Sequence, residues 1–273
     1  MLSMTTDFAR PDGCPRPYLE RIAEAGFTHV HWCQQWCTDF LYFDNEIAQI
    51  KSWMGKLGLG LTDLHGSSGK EKCWTSEREY EREAGVALVW NRLKMAAELG
   101  GDVVIMHVPR EPEADREKEL YWSRLRRSLD ALEPFAVECG VRIAIENGEF
   151  EVIEKILAQY DPAYLGLCYD CGHGNLRPDG LDRLEGLKDR LISLHLHDND
   201  GTRDQHRIPF TGSVDWPRLA GIIATSSYAK WVNLECTMSQ SEIEDEAEFL
   251  AGSFEAAGRV AGLIEAARPG SDA

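Results

Sequence analysis

Short apolar runs alternate along the chain with longer stretches in which apolar residues recur every three or four positions. Runs of about four to eight residues read as strands, and the longer three-to-four spacing reads as amphipathic helix. The runs place strands at Leu2–Thr5, Thr28–Trp32, Leu59–His65, Val103–His107, Arg142–Glu146, Leu165–Asp170, Leu191–His197 and Trp231–Glu235. The helical stretches between them are Tyr18–Ala25, Asn45–Leu57, Ser76–Leu99, Arg116–Cys139, Phe150–Gln159, Leu181–Leu187, Trp216–Ala224 and Ser241–Ala266. Gly26, Gly58, Gly100 and Gly140 each stand between a helical stretch and the next strand, where a helix commonly ends in a left-handed residue.

Strand–helix units repeated in this way, with connections long enough for parallel pairing, predict an α/β fold: a single (β/α)8 TIM barrel domain over residues 1–273. A doubly wound open sheet is the alternative, and no Gly-x-Gly-x-x-Gly motif supports it. No linker or low-complexity segment divides the chain, and the final Ala-Ala-Arg-Pro-Gly-Ser-Asp-Ala reads as a frayed tail.

The strand pattern gives the ionisable residues their meaning. His65, His107, Glu146, Asp170, His197 and Glu235 end the third to eighth predicted strands. A barrel of this kind builds its active site from the C-terminal strand ends, so these side chains are expected to converge on one mouth. Side-chain alternation sets Ile105, Ala144 and Cys168 beneath His107, Glu146 and Asp170, as a packed interior requires. His195 falls beneath His197, as a hydrogen-bonding support or a substrate contact. Inward carboxylates need compensation, because a buried unpaired charge is costly. A divalent cation held by Glu146, Asp170, His197 and Glu235 meets that need, with oxygen and imidazole donors suited to Mn, Mg, Co or Zn.

Two loops extend the set. Tyr-Asp-Cys-Gly-His-Gly-Asn places His173 after Asp170, and the loop after the seventh strand carries Arg203 and the pair Asp204-x-His206 before a helix beginning near Asp215. Together with the strand-end residues, His173, Asp204 and His206 form a plausible second metal cluster. His31 and Trp32 lie on the second strand and Trp36 follows it; His31 is placed to reach the mouth, though that strand supplies it no partner, and the aromatics suit either a wall for a sugar ring or ordinary packing. Ser239 or Ser241 is read as the cap of the last helix, a place where an anion could also bind.

The formal net charge of −17, from 46 acidic and 29 basic side chains, repels phosphate backbones and attracts cations. Nucleic acid is therefore disfavoured as a partner, and Arg110, Arg177, Arg203 and Arg207 are the few basic residues near the predicted mouth. The eight cysteines, including Cys168-x-x-Cys171, are read as reduced and mostly buried. With no signal-peptide pattern and no apolar run long enough for a membrane span, a cytoplasmic location is expected. Oligomeric state is left open.

From Leu-Thr-Asp-Leu-His-Gly through Val-Ile-Met-His-Val-Pro, Ile-Ala-Ile-Glu-Asn-Gly-Glu, Leu-Cys-Tyr-Asp-Cys-Gly-His-Gly-Asn, His-Leu-His-Asp-Asn-Asp and Val-Asn-Leu-Glu-Cys-Thr-Met, the chain resembles the xylose isomerase-like superfamily of barrels. That superfamily contains sugar isomerases and epimerases, inosose isomerases and dehydratases, and apurinic-site endonucleases. The resemblance to its epimerase branch implies one metal on Glu146, Asp170, His197 and Glu235, with the two glutamates as acid/base pair and His173 and Arg203 on substrate oxygens. The endonuclease branch implies up to three metals, adding His65, His107, His173, Asp204 and His206. The expected chemistry is proton transfer beside the carbonyl of a small sugar, keto-sugar or inosose, with or without phosphate, through a metal-stabilised enediolate. Dehydration at the same site and trinuclear zinc phosphodiester hydrolysis are the competing chemistries. A carbohydrate-binding barrel without catalysis is a third reading.

Overall fold

The structure, a computed structural model, describes residues 1–9, 13–230 and 232–270. Eight parallel strands alternate with helices. They are β1 (Leu2–Thr5), β2 (His29–Trp32), β3 (Gly60–His65), β4 (Val103–Met106), β5 (Arg142–Glu146), β6 (Leu165–Asp170), β7 (Leu191–His195) and β8 (Val232–Leu234). Hydrogen bonding runs β7-β6-β5-β4-β3-β2-β1-β8. A parallel bridge between Leu196 and Leu234 brings β7 to β8 and completes the (β/α)8 barrel. Two backbone bonds make that seam: Leu196 N–H donates to Asn233 O at 3.0 Å, and Glu235 N–H donates to Leu196 O at 3.1 Å.

The helices are α1 (Arg16–Glu24), α2 (Asp44–Leu57), α3 (Glu79–Glu98), α4 (Asp115–Cys139), α5 (Phe150–Leu157), α6 (Cys171–Asn175), α7 (Gly180–Leu187), α8 (Trp216–Ala224) and α9 (Glu246–Ala266). They form the outer layer, and their apolar faces close on the strands. Val103, Ile105, Ala144, Cys168 and Ile192 make a separate buried cluster that fills the barrel beneath the mouth, as the alternation predicted for Ile105, Ala144 and Cys168. Gly58 and Gly140 end α2 and α4 with φ of 69° and 65°, where a β-carbon would be strained.

Four expectations need correction. The seventh strand stops at His195, because Leu196 leaves β6 to bridge β8 and Asp198 pairs instead with Arg207. β4 stops at Met106, one residue before His107. The turn after Asp170 winds into the short helix α6, too brief for any periodicity to reveal. Neither Ser239 nor Ser241 caps the last helix. Asp245 does, accepting from Glu248 N–H at 2.8 Å, and a carboxylate there disfavours an anion. The Trp231 end of the eighth predicted strand lies outside the described residues.

No helix among the described residues is long and apolar enough to cross a membrane. All eight cysteines are free; Cys33, Cys168, Cys171 and Cys236 are buried, whereas Cys14 and Cys37 are exposed rather than buried.

Candidate active site and metal centre

Six elements deliver the mouth. Glu146 and Asp170 end β5 and β6, His65 ends β3, and His107, His197 and Glu235 stand just past β4, β7 and β8. All except His107 are buried. Asn147 holds the Asp170 backbone from both sides, its Oδ1 accepting from Asp170 N–H at 2.5 Å and its Nδ2 donating to Asp170 O at 2.9 Å. Gly172 leaves room for the His197 ring; a methyl group there would overlap it.

The carboxylates and imidazoles interlock. His197 Nε2 lies 3.0 Å from both Asp170 oxygens. His195 Nδ1 stands between the two glutamates, 3.4 Å from Glu146 Oε2 and 3.0 Å from Glu235 Oε2. His107 Nε2 is 3.2 Å from Glu146 Oε2, and His65 Nε2 is 3.2 Å from Glu235 Oε1. Burial alone would raise the Glu146 carboxyl, but His107 and His195 outweigh it and hold it low. Glu235 is likewise held well below the usual range against burial by His195, His31 and His65. Burial pushes His65 down to about 4, so its ring is a neutral donor at ordinary pH.

The loop after β7 folds back into the same mouth. Buried Asp198 organises it, accepting from Phe210 N–H and Trp216 Nε1 at 2.9 Å and from Val214 N–H at 3.1 Å. His206, at a φ of 47°, donates Nδ1 to Glu235 O at 2.7 Å and points Nε2 at Asp204, 2.9 Å away. Its ring stacks on His197 with centroids 4.0 Å apart. His173 repeats the arrangement, with Nδ1 3.0 Å from Asn147 O and Nε2 3.4 Å from Asp204. A backbone carbonyl on Nδ1 fixes the tautomer that offers Nε2 to a cation. Asp170, against the pull of burial, raises His173 to about 11, and Asp204 outweighs burial to raise His206 to about 10.

The sequence-predicted residues therefore converge, with one exception. Arg203 is exposed at the loop tip and makes no hydrogen bond or ion pair among the described residues. Arg110 and Arg177 are engaged by Glu149 and Glu151. Trp36 and Trp32 separate: Trp36 stacks over His65 and His107 at 4.9 and 5.1 Å, while Trp32 is core, bonded to Tyr42.

Three further residues belong to the site. His31 lies fully buried among His65, His195 and Glu235, and Asp63 accepts from its Nδ1. Cys33 Sγ sits 2.8 Å from His31 Nε2. The available signals were Asp63 two positions before His65, on the same strand face, and the pair His31-x-Cys33.

Buried atoms without an aligned hydrogen-bond partner include Glu146 Oε2, His107 Nε2, His197 Nδ1 and both His195 nitrogens. Several groups of three or four His, Cys, Asp and Glu donors lie within 4.8 Å of one another, including His65–His107–Glu146 and His197–His206–Glu235. Hard oxygens and imidazoles gathered this way fit a divalent cation.

The chain is similar to known proteins along nearly its whole length. It is 31% identical over 263 residues to the uncharacterized protein y4fM of Sinorhizobium fredii, covering 86% of this chain and 85% of that one. Its fold matches a D-tagatose 3-epimerase-like protein with a TM-score of 0.78 at 17% identity, over 97% of this chain and 98% of the other. It also matches the 3-keto-D-glucoside 4-epimerase YcjR of E. coli with a TM-score of 0.77 at 19% identity, over 95% and 99% of the two chains. A model of the xylose isomerase-like TIM barrel family spans residues 19–252, and the chain belongs to that family.

Proposed function

We propose that the protein is a metal-dependent isomerase or epimerase of a small sugar, keto-sugar or inosose, free or phosphorylated. One observation carries the reading: Glu146 and Glu235, from well-separated strands, turn their Oε2 atoms toward the same His195 nitrogen in the floor of the mouth. Two carboxylates so placed can address one substrate carbon from two sides.

Glu146, Asp170, His197 and Glu235 would hold the cation, and the orphaned buried atoms beside them support that fit. When bound, the cation supplies Lewis-acid polarisation of a substrate carbonyl. The chain's own residues do the rest. One glutamate takes the proton beside the carbonyl and the other returns one. Return to the opposite face of the same carbon epimerises it, return to the neighbouring carbon isomerises the sugar, and loss of a β-hydroxyl dehydrates it. His195 stands within reach of both carboxylates and can stabilise their charge, and Trp36 offers an apolar face to the sugar ring. The similar structures include a D-tagatose 3-epimerase-like protein and a 3-keto-D-glucoside 4-epimerase, which favours epimerisation.

The test is hydrogen exchange on the substrate. Metal-loaded protein incubated in D2O with ketoses, keto-sugars and inososes is expected to place deuterium beside the carbonyl, read by NMR. Glu146→Gln should slow this by roughly 100-fold or more. Undiminished exchange in that variant would overturn the acid/base assignment.

A second reading rests on a separate observation: His173 and His206, tautomers fixed by carbonyls, both aim Nε2 at Asp204. That is the form of a further metal site, and a multinuclear zinc centre would suit phosphodiester hydrolysis. The net charge of −17 and the pairing of Arg110 and Arg177 weigh against a nucleic-acid substrate. Cleavage of an abasic duplex with zinc, at low salt, decides it.

A further inference from the structure

Around Glu235 Oε1, the oxygen not turned to His195, lies a donor set of which the proposed sugar chemistry uses only Glu235. His31 Nε2, Cys33 Sγ, His65 Nε2 and Glu235 Oε1 come from β2 and the residue just after it, the end of β3, and the residue just past β8. Their ligand atoms all lie within 4.8 Å of one another, and all four residues are buried. We propose that these four residues form a second metal site, a closed zinc site with one thiolate, which takes Oε1 of Glu235, so that with zinc bound the catalytic cation of the proposed function is held by Glu146, Asp170 and His197 and Oε2 stays free for the proton.

The spacings support it. A tetrahedral zinc with Zn–N and Zn–O of about 2.0–2.1 Å and Zn–S of about 2.3 Å separates its ligand atoms by roughly 3.3–3.6 Å. Here Glu235 Oε1 is 3.5 Å from His31 Nε2, 3.2 Å from His65 Nε2 and 3.8 Å from Cys33 Sγ. The Cys33–His31 edge, at 2.8 Å, is shorter because a hydrogen bond spans it. Zinc replaces that proton, which leaves to solvent, and the edge lengthens.

An independent observation points the same way. Asp63 accepts from His31 Nδ1, and Asp63 is itself anchored by the Ser193 hydroxyl and by Asn233 Nδ2 at 3.2 Å. A carboxylate fixed behind an imidazole presents the other nitrogen as a lone pair, the usual backing of a zinc-bound histidine. Charge also balances: one thiolate and one carboxylate neutralise Zn2+, as a buried site requires. Four protein ligands leave no open position, so the zinc positions Glu235 and does not bind substrate. It holds Oε1 and leaves Oε2 facing the mouth.

Cobalt reads the thiolate directly. Full-length protein stripped by chelator is titrated with Co2+. The expected result is uptake of more than one cobalt per chain, with a near-ultraviolet thiolate-to-cobalt band that zinc abolishes. Cys33→Ser should lose the band and one cobalt equivalent while retaining cobalt at the Glu146, Asp170 and His197 side. Cobalt binding by the wild-type protein without that band overturns the proposal. So does a band that survives in Cys33→Ser, which would assign the sulfur to another cysteine such as Cys168. The wild-type spectrum needs no variant, so misfolding of Cys33→Ser leaves the test intact. Failure of the sugar chemistry would show in deuterium exchange and leave the cobalt spectrum unchanged.

Discussion

Asn147 grips the backbone of Asp170 through both atoms of its amide, at 2.5 and 2.9 Å, and so sets the carboxylate that faces His197. Asn147→Ala removes both bonds without touching a donor of the mouth. Losing such outer support costs metal sites roughly 10–100-fold in affinity. Metal titration of the variant should show that loss, with a folded circular dichroism spectrum.

Gly172→Ala should act through collision. Its methyl group must displace the His197 ring, which is packed against His206 and Asp170. Overpacking of this kind costs about 1–3 kcal/mol, so a lower thermal midpoint is expected together with weakened metal binding. Unchanged metal affinity would mean that His197 is not a ligand.

Asp198→Asn tests the loop. The carboxylate gathers amides of Asn199, Phe210 and Val214 and the Trp216 indole, and no cation faces it in those bonds. Hydrogen bonds to a charged group contribute about 1.5–3 kcal/mol each at most, and the amide substitute turns one acceptor into a donor. Faster limited proteolysis between residues 198 and 216 is expected, with Asp204 and His206 loosened and the barrel intact.

Proton release separates one metal from several. In the metal-free protein His173 and His206 are raised to about 11 and 10, so both carry a proton at pH 7.5. A cation on Nε2 requires the neutral ring. Binding confined to Glu146, Asp170, His197 and Glu235 weakens the hold of Asp170 on the His173 proton, but Asp204 still faces both rings and keeps the His206 proton in place. Filling the Asp204 side must release both protons, and should do so less readily as pH falls. Calorimetry in buffers of different ionisation enthalpy counts the difference.

Much of this was legible in the sequence, because barrel strands end where function begins and alternation is a strict two-residue rule. Glu146, Asp170 and His65 stand at the strand ends that the apolar runs marked. The rest depended on contacts between remote strands. His31 reaches Asp63 across a register shift between Val30 and His31, which no single-strand pattern carries. Cys33 read as one more buried thiol until Glu235, 202 positions away, stood beside it. Asp245 was a readable cap, with Glu248 three residues on, but the serines before it drew the boundary early. Arg203 illustrates the limit of a motif: its neighbour Asp204 turns inward and it does not.

Among the described residues, the seam between β7 and β8 is the segment of the barrel wall joined by a single bridge. Two backbone bonds join these strands directly, and the Asn233 side chain adds a third to Leu194 O at 3.0 Å. His197 and Glu235 sit at the lip of that segment, one on each side. A cation clasped by both would stiffen the wall as an extra rung does a ladder. Amide exchange at Leu196 and Glu235 should then slow on metal loading more than exchange anywhere else in the barrel, so that the ion's occupancy is written into the mechanics of the fold.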